Sequence, residues 1–375
     1  MNRLVAIDLP GGAAFLGALA RVWDAGDTAL PVDQRLPFAA KQKLLTALRP
    51  AAVITADTAE TMLSDAVPTL TGDAVVIATS GTTGDPKGVL LTHSALRSSA
   101  LSTSERLGIE PANDRWYGCL PVAHIGGFSV VTKALLTGTP LTLVAGFDPV
   151  EVNAAAATHS RISLVATALS RVNTTGWRTV LLGGSAMPEK VPPCVVKTYG
   201  MTETGSGLVY DGIAVRDAEV RIVAGQIEVR GPMLLRAYRS DDPEGRSARS
   251  ADGWFATGDG GRLDPDGRLR VRGRIGDVIV TGGEKVWPDS VERTLQSMPG
   301  VAEVAVAGRP DPEWGHIVVA WIVPTDPSEP PSLDSIRAQV KQSLPVYAAP
   351  KAVVVVDNLP RTALGKIQRG LLPFP

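Results

Sequence analysis

Residues 79 to 89 read Thr-Ser-Gly-Thr-Thr-Gly-Asp-Pro-Lys-Gly-Val, and their types point to polyphosphate binding. Gly81, Gly84 and Gly88 let the backbone bend and approach a ligand closely, beside the hydroxyls of Thr79, Ser80, Thr82 and Thr83. Amide and hydroxyl donors can wrap phosphate oxygens while the Lys87 ammonium offsets their charge. A Walker loop requires Gly-Lys followed by Ser or Thr. Here Pro86 precedes Lys87 and Gly88 follows it, so that class of nucleotide site is excluded. A plain Gly-rich surface loop is the competing reading, and so strong a bias toward donors counts against it.

The elements that must hold this loop are legible on either side of it. Ala74–Ala78 is a short apolar run that reads as a strand, and Thr92 is placed to cap a following helix, giving strand, loop, helix. Apolar runs recur at 140–145, 161–167 and 179–182, with an alanine-rich stretch at 150–158, and this alternation predicts an α/β sheet with covering helices. After residue 207 the texture changes to short alternating strands at 219–223, 226–229 and 268–272, a small β-rich region. Beyond Arg274, one helix face is marked by Val291, Leu295 and Met298 and another by Ile336, Val340 and Leu344, with strands at 301–307, 317–323 and 352–356. Residues 324–331, rich in Pro and Ser, read as a surface loop. The expected organisation is a large N-terminal α/β domain over 1–275, including the β-rich region, and a small mobile α+β domain over 276–375.

Bulk properties agree with two domains, since 375 residues exceed what one core usually organises. Lys plus Arg total 37 against 38 Asp plus Glu, so no basic field exists to recruit nucleic acid or an anionic membrane, and anions must be bound locally. Two cysteines, Cys119 and Cys194, are too few for a disulfide framework and point to a reducing compartment, with the cytoplasm as the expected location. The opening residues do not read as a signal peptide, and no apolar run is long enough to span a membrane.

The chain resembles the adenylate-forming superfamily of acyl-CoA synthetases, peptide-synthetase adenylation domains and luciferases. The resemblance rests on the 79–89 loop together with Tyr199–Gly205 (Tyr-Gly-Met-Thr-Glu-Thr-Gly), Thr257–Asp259 (Thr-Gly-Asp), Gly273–Pro288 and Arg361–Lys366, in family order, and covers nearly everything from about Leu30. It implies that Thr79, Ser80, Gly81, Thr82, Thr83 and Lys87 handle the phosphates of ATP, that Thr202 touches the α-phosphate, and that Glu203 holds Mg2+. The last assignment agrees with the preference of magnesium for hard oxygen ligands, although a solvated turn carboxylate is the plainer reading of Glu203 in isolation. Gly183, Gly184 and Ser185 resemble the segment flanking adenine, Tyr199 and Gly200 the stacking strand, and Asp259 the carboxylate accepting the ribose hydroxyls, with Arg274 also in the nucleotide set. Asp259 alone would pass for a turn cap.

Lys366 resembles the adenylation lysine, a role that suits a point charge able to reach carboxylate, α-phosphate and leaving pyrophosphate. A lysine so near the C-terminus is otherwise usually just solvated. Gly282 and Gly283 resemble the lining of the pantetheine path by which coenzyme A enters, and Gly276 stands where the family pivot usually carries Asp or Lys. His124 resembles the position bordering the acyl pocket, against the alternative of a core histidine with a satisfied hydrogen bond. The stretch 200–212 looks closest to the o-succinylbenzoate:CoA ligases of menaquinone biosynthesis, with His124 and Ser206 as polar contacts to the acid. The second carboxylate of such an acid should need a donor or cation that the sequence does not identify. An acyl- or aryl-CoA ligase of other specificity, a carrier-protein adenylation enzyme, a luciferase-like oxidase and a non-enzymatic binding protein are the rival classes; retention of Lys366 and Glu203 favours catalysis. Expected partners are the acid, ATP and coenzyme A, with a homodimer left open.

Overall fold

A computed structural model describes residues 1–56, 60–80, 86–184, 190–361 and 367–374. The chain divides into two compact units, the first comprising Met1–Met187, Val191–Arg221 and Glu228–Ala256, the second Pro188–Lys190, Ile222–Ile227 and Thr257–Pro375.

The first unit holds two seven-stranded sheets. In the first sheet the strand order is Ala237–Tyr238, Pro86–Thr92, Asp73–Ser80, Thr28–Pro31, Leu4–Ile7, Ala52–Ile54 and Glu60–Met62. Leu4–Ile7 is apolar and entirely buried, as befits a central strand pairing in parallel with a neighbour on each side. The second sheet runs Ile213–Ala214, Ser206–Tyr210, Val195–Met201, Thr179–Leu182, Arg161–Leu164, Trp116–Gly118 and Leu141–Leu143, parallel from 195–201 through 141–143. Helix His93–Arg106 contacts strands of both sheets and packs on helix Ile125–Thr137. Its sequence is short of large apolar side chains, and apart from Leu96 the buried positions, Ala95, Ser99, Ala100, Ser102, Thr103 and Ser104, carry small residues that permit close approach. Thr92 caps it as expected, accepting from the Ala95 N–H at 3.1 Å.

One local expectation needs correction. The phosphate loop is followed by a second strand, Pro86–Thr92, antiparallel to Asp73–Ser80, so the unit is strand, loop, strand, helix. Pro86 and Gly88 disguise that strand. Pro86 stands first in it, the place where a missing N–H is tolerated, and a Cβ on Gly88 would lie 2.8 Å from Val76 and 2.9 Å from Leu48.

Glu219–Val223, Gln226–Arg230, Phe255–Leu263 and Leu269–Arg274 form a four-stranded sheet, the β-rich region expected from the alternation. In the second unit, Glu284–Val286, Ile279–Thr281, Gly315–Pro324 and Val301–Asp311 line up in that order, with Ala352–Val355 parallel to Gly315–Pro324. Alternate residues of the two long strands serve two cores. Val304, Val306, Val318, Ala320 and Ile322 pack with Val291, Leu295, Ile336 and Val340 of helices Pro288–Gln296 and Leu333–Lys341. Ala305, Ala307, Val319 and Trp321 pack with Leu359 and Leu372 on the other side. Met298 and Leu344 lie beyond the helix ends yet join the same core. Residues 325–330 are exposed, as read for the Pro-rich loop. Among the described residues, no helix is long and apolar enough to cross a membrane.

Candidate functional site

In the first unit the two arms of the phosphate loop are described, while Gly81, Thr82 and Thr83 lie outside the described residues. Thr79 and Lys87 face each other in the hairpin register, and the Thr79 hydroxyl donates to the Lys87 carbonyl at 3.2 Å. The Lys87 Nζ sits 3.5 Å from the centroid of the Tyr238 ring. The Tyr238 hydroxyl in turn donates to Glu203 Oε1 at 2.8 Å, so the candidate phosphate lysine and the candidate metal carboxylate meet across one tyrosine.

Glu203 belongs to the 3-10 turn Thr202–Thr204, which is tightly built. Thr204 is fully buried, accepts from the Met201 N–H at 2.9 Å, and is followed by Gly205 in the left-handed region. A Cβ at Gly200 would lie 2.1 Å from the Ser206 carbonyl oxygen, so only glycine fits there. Thr202 is half-buried at the head of this turn, and Tyr199 is half-buried on the strand leading into it. No cluster of three or more His, Cys, Asp or Glu forms among the described residues. A divalent cation at Glu203 would therefore be held as magnesium commonly is, by one carboxylate and phosphate oxygens, and Tyr238 leaves Oε2 available for it.

Gly183 and Gly184 follow strand Thr179–Leu182, with Ser185 outside the described residues. A Cβ on Gly183 would meet Thr198 Oγ1 at 2.6 Å, so the packing excludes a side chain there.

His124 stands immediately before helix Ile125–Thr137, with Nε2 2.8 Å from Asp33 Oδ2. Arg35 bonds the same carboxylate through Nε at 2.9 Å and Nη2 at 2.7 Å. Burial acts to raise the Asp33 carboxyl, yet hydrogen bonds from His124 and Arg35 hold it far below the usual carboxylate range. The ionised Asp33 therefore takes the Nε2–H, which leaves Nδ1 as the ring's remaining acceptor when the imidazole is neutral.

Nine residues along that helix lies a group the sequence reading missed. Lys133 is 1% exposed, and its Nζ donates to Ser206 Oγ at 3.1 Å. No carboxylate pairs with Lys133 among the described residues, and burial lowers its pKa to about 7. The available signal was a single charge within Ile125–Thr137, otherwise an apolar and small-residue helix.

Arg239, next to Tyr238, is buried with no carboxylate bonded to it among the described residues, and it bonds four carbonyls: Leu48 at 2.7 Å, Pro68 at 3.2 Å, Arg49 at 3.3 Å, and Val67. Burial lowers its pKa to about 10.

The remaining candidates belong to the second unit. Asp259 is 7% exposed, its N–H bonds Thr257 Oγ1 at 3.1 Å, and its Oδ1 lies 3.0 Å from Arg274 Nε. Arg274 also donates to the Thr257 carbonyl at 2.8 Å, which fixes the guanidinium beside the carboxylate. Gly282 and Gly283 form a left-handed turn, and Trp314 covers the first so closely that a Cβ would lie 2.8 Å from the indole. At Gly276, the expected pivot position, a Cβ meets nothing within 4 Å, so local packing does not demand glycine there. Lys366 lies outside the described residues. Its flanks are tied, with Arg361 bridged to Ile367 and the Gln368 N–H bonded to the Pro360 carbonyl at 2.8 Å.

Residues 66–239 match the AMP-binding enzyme family, and residues 290–366 match the AMP-binding enzyme C-terminal domain. A probable 2-succinylbenzoate–CoA ligase of Mycobacterium tuberculosis is 36% identical over 398 residues, covering 98% of this chain and 97% of that protein. The 2-succinylbenzoate–CoA ligase of Listeria monocytogenes is 35% identical, over 80% of this chain and 69% of the relative. Among solved structures, the o-succinylbenzoate coenzyme A synthetase of Bacillus subtilis, in complex with its acyl-adenylate intermediate, superposes with a TM-score of 0.85 at 29% identity, covering 100% of this chain and 88% of that one. The same enzyme with ATP and magnesium superposes at 0.84 and 28% identity, over 99% of this chain and 89% of that one.

Proposed function

The chain belongs to the AMP-binding enzyme family, and from that premise we propose that it adenylates the aliphatic carboxylate of o-succinylbenzoate with Mg-ATP and passes the acyl group to coenzyme A. The products are o-succinylbenzoyl-CoA, AMP and pyrophosphate. The observation that carries the choice of acid is Lys133, a buried ammonium whose side-chain partner among the described residues is the Ser206 hydroxyl. Burying a lysine without a carboxylate is costly, and the cost is offset when a ligand supplies the anion. A fatty acid has one carboxylate, which the reaction consumes. A dicarboxylic acid such as o-succinylbenzoate brings a second that suits Lys133 and Ser206.

In the proposed mechanism, Lys87 and the hydroxyls of Thr79, Ser80, Thr82 and Thr83 orient the phosphates. Glu203 would hold magnesium, which when bound offsets phosphate charge, and Thr202 would donate to the α-phosphate. Tyr199, Gly183, Gly184, Ser185 and Gly200 would border adenine. Asp259, braced by Arg274, would accept the ribose hydroxyls, which calls for an ionised carboxylate in a fixed position. His124, oriented by Asp33, would border the acyl group. The carboxylate attacks the α-phosphorus and pyrophosphate leaves. Lys366 would stabilise the charge shared among acid, phosphate and leaving group. The thiol of coenzyme A, reaching past Gly282 and Gly283, then displaces AMP. A cytoplasmic location fits these substrates.

The test is pyrophosphate release with a panel of acids, followed by acyl transfer to coenzyme A or to a phosphopantetheinyl carrier protein. o-Succinylbenzoate should be used at least about a hundredfold better than medium-chain fatty or simple aryl acids, the scale of one buried charge-assisted pair. Preference for a monocarboxylic acid would sink the substrate assignment. Preference for the carrier would move the chain to the adenylation enzymes. Lys366→Ala should block adenylation but spare thioester formation from supplied acyl-adenylate, and equal loss of both steps would contradict the role given to Lys366.

A further inference from the structure

We propose that Tyr238 is a positioning residue that holds Lys87 against one face of its ring and Glu203 at its hydroxyl, keeping the ammonium from collapsing onto the carboxylate before Mg-ATP arrives. The inference rests on the roles given above to Lys87 and Glu203, and it deepens them.

The geometry follows from strand register. Tyr238 pairs with Val89 in the antiparallel strand Pro86–Thr92, and Lys87, two residues from Val89, projects from the same face. The ring is therefore the diagonal neighbour of the lysine, and the ammonium lies 3.5 Å from its centroid. Glu203 arrives from the turn Thr202–Thr204, whose backbone is fastened to the lead-in of the same strand by the Leu235 N–H, 2.7 Å from the Glu203 carbonyl. Its carboxylate accepts the tyrosine hydroxyl at 2.8 Å. The ring is itself anchored from the next residue: the Arg239 N–H bonds the Gly88 carbonyl at 2.8 Å, and the Arg239 side chain is gripped by four carbonyls. Tyr238 thus has little freedom to follow either partner.

Lys87 and Glu203 carry opposite charge and touch the same side chain, yet no ion pair joins them among the described residues. A direct pair would neutralise the two groups that ATP and magnesium need, and both ligands would have to break it. The face of an aromatic ring holds an ammonium more loosely than a carboxylate does at contact distance, so phosphate oxygens can draw Lys87 away. The hydroxyl stays on Glu203 Oε1, fixing the direction in which Oε2 points.

The test compares Tyr238→Phe, which keeps the ring and removes the hydroxyl, with Tyr238→Leu, which removes both. ATP binding is measured by calorimetry across a magnesium titration, without acid or coenzyme A. The lysines are labelled as 13C-dimethyl amines for NMR, with Lys87 assigned by the signal lost in Lys87→Arg. The methyl signal of Lys87 should be shifted upfield by the ring in the free protein and should relax on adding ATP. In Tyr238→Phe the upfield shift and metal-free ATP affinity should persist within about twofold, while the magnesium needed for half-saturation rises about tenfold, the weight of one hydrogen bond to a charged acceptor. In Tyr238→Leu the upfield shift should vanish and metal-free ATP affinity should fall as well. An unchanged magnesium dependence in Tyr238→Phe, or an unshifted Lys87 signal in the unsubstituted protein, overturns the inference. Failure of the unsubstituted protein to bind ATP overturns the proposed function along with it, whereas a different preferred acid leaves the Tyr238 result standing.

Discussion

Arg161 and Lys133 are both buried cations of the first unit, and they are kept in opposite ways. Arg161 is 2% exposed and meets Asp114 in a two-pronged pair, Nε to Oδ1 and Nη2 to Oδ2, each at 2.9 Å. Its remaining donors reach the Leu107 and Gly108 carbonyls, both at 3.1 Å, and the Thr179 hydroxyl. Nothing is left to offer a ligand. Lys133 has a hydroxyl where Arg161 has a carboxylate. The first arrangement is what a cation needs to hold a sheet together, and the second is what it needs to await an anion.

The sharpest way to break the comparison is to remove the anion from the first pair and the cation from the second. Asp114→Asn should destabilise the protein by about 3 to 5 kcal/mol in urea unfolding, because it strands a buried guanidinium. Lys133→Met should act in the other direction and raise stability at neutral pH by about 2 to 4 kcal/mol. Burial places the folded-state pKa of Lys133 at about 7, below its value of 10.5 in the unfolded chain. The penalty is therefore complete below pH 7 and fades as pH rises toward the unfolded value. The same substitution should cut kcat/KM for o-succinylbenzoate about a hundredfold or more while sparing ATP binding. Stability lost on Lys133→Met would place Lys133 with Arg161 as a structural cation.

Two pH profiles sharpen the contrast further. Burial acts to raise the Asp114 carboxyl, but Arg161 and hydrogen bonds from the Glu110 backbone and Ser160 bring it down to about 2, against 3.8 unfolded. A depressed carboxyl contributes stability above its unfolded pKa, so roughly 2 kcal/mol should disappear as pH falls from about 4 to 2, and Asp114→Asn should flatten that part of the acid-unfolding curve. Lys133 should shape activity instead. A dicarboxylate binds the charged amine, so kcat/KM should fall by up to about tenfold per unit as pH rises above 7, and a slowly used monocarboxylic acid should lack this limb.

How much of this could be read from residue order follows from how far apart the partners lie. The donor-rich loop at 79–89 and the turn at 199–205 are local patterns, and at Gly88 and Gly200, one from each, the packing leaves no room for a side chain. The helix faces at Val291 and Leu295 and at Ile336 and Val340 were likewise periodic and local. The hairpin strand Pro86–Thr92 was hidden because its Pro and Gly usually punctuate strands. Leu4–Ile7, Thr28–Pro31 and Ala52–Ile54 were not singled out, being runs of three or four residues. Tyr238 gave no sign at all, since its strand is two residues long and its partners stand 151 and 35 positions away. Lys133 was visible as an oddity, but its significance depends on burial that only the packed helix creates.

The carbonyl cage around Arg239 bears on how short such an enzyme could be made. Four peptide oxygens from the stretch between Leu48 and Pro68 close on one guanidinium beside Tyr238. A minimised version of the protein that excised this stretch would strand a buried cation at the neighbour of the residue spacing Lys87 from Glu203. Trimming there would have to begin with Arg239 itself, replaced by an apolar side chain of similar length, before a single residue of the stretch was removed.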